Sequence, residues 1–238
     1  MSDRNDIADA LRQRLEADRI LGVDALPIPL PARRATADAR AALDAIDAEE
    51  VKVCPRCGLA QTRTNTVFGE GNPTADIVFV GEAPGGDEDR TGRPFVGRAG
   101  QLLTNIIVKG MGLQREDVYI CNILKCRPPN NRTPAPDEIA ACIDYLQRQL
   151  EIIGPQIIIA LGAPAAQTLL QTRESIGRLR GRFHDYPLGL GGALAQVMPT
   201  YHPAYLLRNP ADKRKVWADI QLVLKELGLP IPAARRAK

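Results

Sequence analysis

The fold is decided by the stretch IVFVGEAPGGDED, residues 77–89, in which four apolar residues run directly into a loop of glycine, proline and carboxylates. A run of this length, bounded by Gly81 and Pro84, is typical of a buried strand. Three further apolar, β-branched runs also end at polar or Gly/Pro loops, and they are 118–121, 157–161 and 196–200. The sequence therefore predicts four short strands.

Helical patterns separate these strands. They cover residues 99–111, 137–152, 164–171 and, after the last strand, 212–227. Alternating strands and helices indicate a parallel sheet with helices on both faces, which binds ligands at the carboxyl ends of its strands. We therefore expect a three-layer α/β/α fold with a central parallel four-stranded sheet, and functional residues directly after each strand.

Composition restricts the class of protein. The chain has 238 residues, 45% of them hydrophobic, which is enough for one compact domain with an appendage. The longest uncharged run, 152–172, is broken by glycine and proline, so no membrane segment is expected. Asp3 and Asp6 stand where a secretory signal would be apolar, which predicts a cytoplasmic protein whose five cysteines are not disulfide-bonded.

Charge divides the chain into an acidic leader and a basic body. Residues 1–50 hold seven Arg against eleven Asp and Glu, a net charge of −4, which leaves +7 for the rest. Two predicted helices joined by a proline-rich linker occupy this leader. We therefore predict an N-terminal extension at 1–50, one main domain at 51–229 and a basic tail at 230–238. The basic body is compatible with a polyanionic partner and with ordinary solubility.

Chemistry-bearing residues follow three of the predicted strands. Glu82 and Glu88 follow the first strand, in a loop whose glycines allow close backbone approach to a ligand but lack the lysine of a phosphate-binding loop. Asn122 follows the second, and its amide can donate and accept toward a nucleobase edge. His202, one of only two histidines, follows the last strand.

Four motifs in this order carry a specific resemblance. They are GEAPG at 81–85, TGRPFVG at 91–97, KCRPP at 125–129 and HPAYLLR at 202–208. The segment from Cys54 to Leu227 resembles the family four uracil-DNA glycosylases, the iron-sulfur branch of the uracil-DNA glycosylase superfamily. The resemblance implies a monofunctional hydrolase that flips uracil out of single- or double-stranded DNA, cleaves the N-glycosidic bond and leaves an abasic site for base excision repair.

The resemblance also implies a uracil pocket. Its residues would be Glu82, Ala83, Gly85, Glu88, Phe95, Asn122 and His202. Phe95 would stack on the flipped base, and Asn122 would hold the Watson–Crick edge and reject cytosine. His202 would donate to the uracil O2 as negative charge develops there, with help from backbone N–H groups of the loop at 82–85.

Two pocket positions depart from better-known uracil glycosylases. Ala83 stands where those enzymes carry an aspartate that orients water, and Gly85 stands where they carry a tyrosine that excludes thymine. A carboxylate must come from elsewhere, with Glu82 the leading candidate and Glu88 the second. Thymine exclusion must then rest on other walls. The loop at 126–131 lacks the extra basic, histidine-containing segment of a covalently binding branch, so turnover is expected.

The segment after His202 predicts contacts with DNA. Leu206 or Leu207 would fill the space left by the flipped nucleotide, while basic residues there and near 180 hold phosphates. The residues assigned to DNA are Arg180, Arg182, Tyr205, Leu206, Leu207, Arg208, Lys213 and Arg214. A solvated charged face is the alternative interpretation of both basic clusters.

The cysteines indicate a metal site. Cys54 and Cys57 form a CxxC pair without the strand-then-helix context of a thiol redox motif. Four cysteines around a metal explain the pattern better, and spacing alone leaves zinc and a [4Fe–4S] cluster equally open. The resemblance implies a [4Fe–4S] cluster on Cys54, Cys57, Cys126 and Cys142 that clamps the N-terminal segment to the loop at 127–136. Cys121 lies within a strand and reads as a small buried hydrophobe.

Two other function classes compete with a glycosylase. One is a non-catalytic iron-sulfur or zinc module that recognises DNA damage. The other is a phosphate-ester hydrolase, which the lack of an Asp/His metal cluster disfavours. We expect the glycosylase to act as a monomer.

Overall fold

The computed structural model describes residues 36–189 and 192–232, which belong to one compact unit. The first predicted helix of the leader, the proline-rich linker and the end of the basic tail lie outside the described residues. Among the residues described, none of the helices is both long and apolar enough to cross a bilayer.

One six-stranded sheet forms the centre of the protein. Its strands are β1 (Glu70–Gly71), β2 (Ile77–Gly81), β3 (Tyr119–Asn122), β4 (Ile157–Leu161), β5 (His184–Leu188) and β6 (Ala193–Thr200). They lie in the order β1-β3-β2-β4-β6-β5. The four inner strands are parallel to one another, which confirms the predicted parallel four-stranded centre.

The two edge strands are a feature that the sequence patterns did not predict. Strand β1 has two residues and pairs antiparallel with β3. Strand β5 contains Pro187 and pairs antiparallel with β6, so that β6 begins at Ala193 rather than at 196. Proline and partial exposure are typical of edge strands, because one side of an edge needs no hydrogen-bond partner.

The longer helices begin and end close to the predicted positions, whereas the three helices of six residues or fewer were not predicted. They are α1 (Thr36–Ala45), α2 (Gly86–Thr91), α3 (Arg98–Asn105), α4 (Pro136–Ile153), α5 (Ala163–Leu170), α6 (Ile176–Leu179), α7 (Pro203–Arg208) and α8 (Lys213–Glu226). Wider helical turns at 46–51 and 106–111 continue α1 and α3. Helix α4 begins with Pro136 at its first position and ends at Gly154, whose φ of 60° terminates the helix.

The sheet separates two hydrophobic layers. Along β2, Ile77 and Phe79 pack on one face with α3 and α8, whereas Val78 and Val80 pack on the other with α1, α4 and α5. Successive strand residues point to opposite faces, so helices must cover both sides of a sheet whose strands are apolar throughout. The result is the predicted three-layer arrangement. Helix α1, assigned to the extension by sequence, contributes Leu43 to this core.

Strand register brings the functional loops to one edge. Gly81 at the end of β2 lies beside Asn122 at the end of β3, and Leu161 of β4 lies beside Thr200 of β6. The residues that follow these ends therefore surround a common space.

Candidate active site

A cavity of about 490 Å³ lies at the carboxyl ends of the inner strands. All of the residues predicted to bind uracil line it, namely Glu82, Ala83, Gly85, Glu88, Phe95, Asn122 and His202. Of the residues assigned to DNA, Tyr205 and Arg208 line it as well. The volume lies within the range of small-ligand pockets, about 300–1,000 Å³.

Several residues that line this cavity were not predicted from the sequence. Ala99, Pro128, Asn131 and Arg132 also line it. Arg132 donates to both carboxylate oxygens of Glu138, at 2.9 and 2.6 Å, so its guanidinium is held at the rim. The sequence predicted that the loop at 127–136 lies near the site. It did not distinguish Arg132 from the neighbouring arginines.

Close packing at Gly81 brings Asn122 and Phe95 together. A Cβ atom at Gly81 would lie 2.3 Å from Asn122 Oδ1 and 2.6 Å from a carbon of the Phe95 ring. Real atoms do not approach so closely, so only glycine allows both side chains to occupy this position. The first glycine of the GEAPG motif is thus required by the pocket itself.

Phe95 forms an aromatic wall. Its φ of 51° is left-handed, a conformation that costs a bulky residue about 1–3 kcal/mol and persists only where the surroundings enforce it. Gly100 permits this, because a Cβ there would lie 1.9 Å from the Phe95 carbonyl oxygen. The ring centroid lies 5.6 Å from that of His202, with the planes tilted by 35°. The strained backbone therefore holds a flat apolar face beside the histidine.

Asn122 lines the cavity and carries a buried acceptor without a partner. The residue is only 1% exposed, and its Oδ1 has no hydrogen-bond partner. Among the described side chains, Asp47 Oδ1 is the other buried polar atom in this state. Leaving a buried acceptor unpaired costs about 1–3 kcal/mol, a cost that a ligand N–H donor would remove.

His202 is held as a neutral donor. Its Nδ1 accepts a hydrogen bond from the Ala204 N–H at 3.1 Å, which places the ring proton on Nε2. Burial, and then the Arg208 cation, lower the pKa of His202 to about 4, against an opposing effect of Glu88. The imidazole is thus uncharged near neutral pH and carries one N–H.

The two glutamates in the loop after β2 are in different environments. Glu88 Oε1 accepts hydrogen bonds from the Val96 and Gly97 N–H groups, at 2.9 and 3.0 Å, and so fixes the loop that leads into α3. Glu82 lines the same cavity, and burial raises the pKa of its carboxyl group. Burial disfavours the charged form of a carboxyl group, so the Glu82 carboxylate accepts a proton more readily than an exposed carboxylate does.

The rim helix α7 separates the two leucines assigned to DNA. Leu206 is 1% exposed and packs in the core beneath the sheet, whereas Leu207 is 44% exposed. Tyr205 donates its hydroxyl hydrogen bond to Asp212 at 2.6 Å, and Arg208 is exposed at the end of the helix. Of the two alternatives for a wedge, the structure exposes only Leu207.

The basic residues assigned to DNA also differ in how free they are. Arg180 donates to both oxygens of the buried Asp219, at 3.1 and 2.6 Å. Arg182, Lys213 and Arg214 are exposed. Arg180 therefore has a buried structural partner. Arg182 lies 3.8 Å from the exposed Glu174, and all three exposed side chains can reach a phosphate.

The four cysteines assigned to a metal line a second, smaller cavity. Cys54, Cys57, Cys126 and Cys142 surround it, and Cys121 does not. The Cys126 and Cys142 sulfurs accept hydrogen bonds from the Arg63 guanidinium and the Lys125 N–H, both at 3.3 Å. Burial raises the pKa of both thiols, the opposite of what a redox-active cysteine requires. In the part of the chain that the structure describes, no three His, Cys, Asp or Glu side chains are grouped as ligands of one metal ion.

The fold and the pocket define an α/β protein with a ligand-sized cavity at the strand ends, and comparison with known families gives its class. The family model described as the uracil DNA glycosylase superfamily matches residues 68–221. This match spans all four inner strands and every residue predicted to bind uracil.

Curated relatives narrow the class further. A type-4 uracil-DNA glycosylase of Thermotoga maritima is 54% identical over 179 residues, 74% of this chain and 90% of the relative. Proteins of the same name from Saccharolobus solfataricus and Archaeoglobus fulgidus are 50% and 47% identical, and the alignments cover 84% and 88% of those relatives. The chain belongs to the type-4 uracil-DNA glycosylases, which confirms the family predicted from its motifs.

Proposed function

We propose that this enzyme removes uracil from DNA by hydrolysing the N-glycosidic bond, with Asn122, His202 and Glu82 as its principal site residues. The observation that carries the proposal is the buried, unpaired Asn122 Oδ1 in the same cavity as the neutral His202. An acceptor and a donor at fixed positions in one small pocket are what recognition of a uracil ring requires.

Asn122 reads the edge of the base. Its Oδ1 accepts from uracil N3–H, and its amide N–H donates to O4. Cytosine offers an acceptor at N3 and an amine at C4, so both hydrogen bonds would be mismatched. A site built around buried polar groups rejects such an analogue strongly, because its own groups are then left unpaired.

His202 stabilises the leaving group. As the glycosidic bond breaks, negative charge accumulates on uracil O2, and a preorganised N–H donor lowers the energy of that state. The hydrogen bond from Ala204 N–H to Nδ1 supports this role, because it leaves the single ring proton on Nε2. Phe95 provides the stacking surface for the flipped ring, worth about 1–3 kcal/mol per base.

Glu82 orients or activates the water. Ala83 offers no carboxylate, and Glu88 already uses one oxygen to hold the Val96 and Gly97 N–H groups. The raised pKa of Glu82 supports a proton-accepting role. Gly85 leaves space for Glu88, since a Cβ there would lie 2.8 Å from Glu88 Oε2. Thymine exclusion consequently depends on pocket walls other than position 85.

DNA binds across the rim of the pocket. Leu207 enters the space of the flipped nucleotide, and Arg208, Lys213 and Arg214 hold phosphates beside it. Flipping costs a few kcal/mol in duplex DNA and less in single strands, so both forms are substrates. Action as a monomer is part of the same proposal.

The cysteine cavity holds a [4Fe–4S] cluster. Each iron of such a cluster takes one thiolate, and four cysteines around one cavity, two of them accepting hydrogen bonds, supply a fitting donor set. Zinc is the alternative occupant of four thiolates. The group, when bound, serves as a structural crosslink between the 54–57 segment, the loop at Cys126 and helix α4. We place the enzyme in the reducing cytoplasm, where thiolate ligands are maintained.

Base release from uracil-containing oligonucleotides tests this proposal. Wild type should leave alkali-labile abasic sites in single strands and in U:A and U:G duplexes. His202→Ala should lose roughly 10²- to 10³-fold in kcat, as expected for a lost donor to a developing anion. His184→Ala is the matched control, because this other histidine bonds the Leu179 carbonyl group at 3.0 Å and does not line the pocket. Tight DNA binding without base release in wild type would instead support a non-catalytic damage-binding module.

A further inference from the structure

Lys125 is a buried lysine that the proposed chemistry does not use. It is 1% exposed, although lysine is almost never fully buried without partners. Its Nζ donates to the main-chain oxygen of Asn122 at 2.8 Å and to Gln149 Oε1 at 2.5 Å, and it lies 5.8 Å from the centroid of the Phe68 ring. A buried ammonium group is tolerated only with such compensation. The lysine of the KCRPP motif therefore has a defined structural target.

Gln149 on α4 completes the arrangement. Its side chain is fully buried, and its Nε2 donates to the Phe68 carbonyl oxygen at 3.0 Å and to the Tyr119 hydroxyl at 3.3 Å. Both donors of the amide are thereby used, so its oxygen must point toward Lys125. The helix thus presents a fixed acceptor rather than a freely rotating amide.

A second contact ties the same lysine to the same helix. The Lys125 N–H donates to Cys142 Sγ at 3.3 Å. Cys142 and Gln149 are seven residues apart, about two helical turns, and therefore lie on one face of α4. Helix α4 consequently holds Lys125 by its main chain and by its side chain.

Asn122 depends on its backbone for orientation. Its Oδ1 has no hydrogen-bond partner that would fix the amide, so the direction of the side chain depends on packing against Gly81 and Phe95 and on where the main chain is held. The next two residues are attached to the other wall of the pocket, since Ile123 N–H donates to the Gly81 carbonyl oxygen and Leu124 N–H to that of Glu82, at 2.9 and 3.1 Å. The Asn122 carbonyl group is held by Lys125 alone among these contacts.

We propose that Lys125 and Gln149 are positioning residues for uracil recognition, which hold the main chain of Asn122 and thereby aim its amide into the pocket. This inference rests on the proposed role of Asn122. Buried polar residues would then position Asn122 as Gly81 and Gly100 position the neighbouring Phe95. Small displacements suffice, because misplacing a reacting group by about 1 Å can cost roughly 10²-fold in rate.

Inhibition by free uracil tests the inference, because it measures base recognition without flipping or chemistry. Lys125→Met removes the ammonium group at nearly constant length, and Gln149→Leu removes its acceptor. Both should raise the inhibition constant of uracil and lower kcat by roughly tenfold or more, while affinity for abasic-site DNA stays within about twofold. Gln149→Glu keeps an acceptor for Lys125 but loses the donors to Phe68 and Tyr119, so it should retain more of the uracil affinity than Gln149→Leu does.

Leu150→Ala is the control for a purely structural effect. Leu150 follows Gln149 on α4, is fully buried and lacks polar atoms, so its truncation should lower the melting temperature and leave the uracil inhibition constant unchanged. If Lys125→Met does not fold, the Gln149 pair carries the test.

Two results would overturn the inference in distinguishable ways. A uracil inhibition constant that stays at the wild-type value in Lys125→Met, or that moves equally in Gln149→Leu and Gln149→Glu, contradicts positioning by Lys125 and Gln149. An unchanged constant in Asn122→Ala contradicts the proposed role of Asn122, and this inference with it.

Discussion

The base pocket and the cysteine cavity lie on the same domain and are built in opposite ways. The pocket keeps Asn122 Oδ1 without a partner and holds Phe95 in a strained conformation. The cysteine cavity gives two of its sulfurs hydrogen bonds and is enclosed by core residues such as Leu59 and Tyr145. Unpaired polar groups in a binding site are available to hydrogen-bond a ligand and so favour binding. Paired polar groups in a structural site favour the folded state.

The difference predicts that substitutions in the pocket lower activity and leave stability unchanged. Substitutions in the cysteine cavity should lower stability first. Lys125 joins the two regions. Its side chain donates a hydrogen bond to the Asn122 carbonyl oxygen, and its backbone N–H donates one to Cys142 Sγ.

The largest effect is expected at Glu82. Glu82→Gln removes the carboxylate proposed to activate water, so kcat should fall roughly 10²- to 10⁴-fold while the melting temperature stays close to that of wild type. Glu88→Gln is the matched control. Its amide oxygen can still accept from the Val96 and Gly97 N–H groups, although more weakly than a carboxylate, so we expect less than about a tenfold loss in kcat. A larger loss of kcat in Glu88→Gln than in Glu82→Gln would indicate that Glu88, and not Glu82, activates the water.

The cysteines should show the reverse behaviour. Cys126→Ser and Cys142→Ser should lower the melting temperature by roughly 10 °C or more, because a metal-site ligand is lost from the core. Both should also lose the visible absorbance of an iron-sulfur cluster. Cys121→Ser, a change of the buried cysteine that does not line the cavity, should keep the absorbance. Purified wild type containing zinc and no iron would contradict the cluster and leave the four-cysteine site in place.

His202 links the pocket to pH. Its pKa of about 4 lies below its ordinary value of 6.5, so between these values the unfolded chain takes up a proton that the folded chain does not. Stability from this group is full above pH 6.5 and is lost as the pH falls toward 4, by up to about 3 kcal/mol. The loss should be absent in His202→Gln. Denaturant unfolding across this window measures it, and a titration of the imidazole by NMR, in a chain with two histidines, measures the pKa directly.

The smallest effect is expected at the rim. Leu207→Ala should leave stability unchanged and reduce kcat/KM on duplex DNA roughly tenfold more than on single strands, since only a duplex requires the space of the flipped base to be filled. Leu206→Ala should instead cost about 2–5 kcal/mol of stability, because Leu206 is buried. Equal losses on both substrates in Leu207→Ala would argue against a wedge.

Much of the fold was predictable because its strands and helices have distinct periodicities. Strand β4 has the predicted bounds, Ile157–Leu161, since its five residues are apolar and buried on both faces. Strand β5 was missed, because its exposure alternates and Pro187 interrupts a strand pattern. Edge strands need only one partner, so their sequences carry a weaker signal.

The site was predictable in its residue list and not in its geometry. Parallel strands end at one edge, so Glu82, Asn122 and His202 had to converge once the sheet was known. Arg132, by contrast, is held at the cavity by its hydrogen bonds to Glu138. The two residues are six positions apart across the start of a helix, and no sequence pattern predicts such a pair.

The sequence by itself determined the family, the parallel centre of the sheet and seven of the residues around the pocket, because short motifs and hydrophobic periods are local properties of the chain. Only the tertiary structure decided which glutamate is engaged by backbone N–H groups, which leucine is exposed and which tautomer His202 adopts. It alone paired Lys125 with Asn122 and Gln149. These outcomes depend on burial and on contacts between distant segments, and both arise only when the layers pack together.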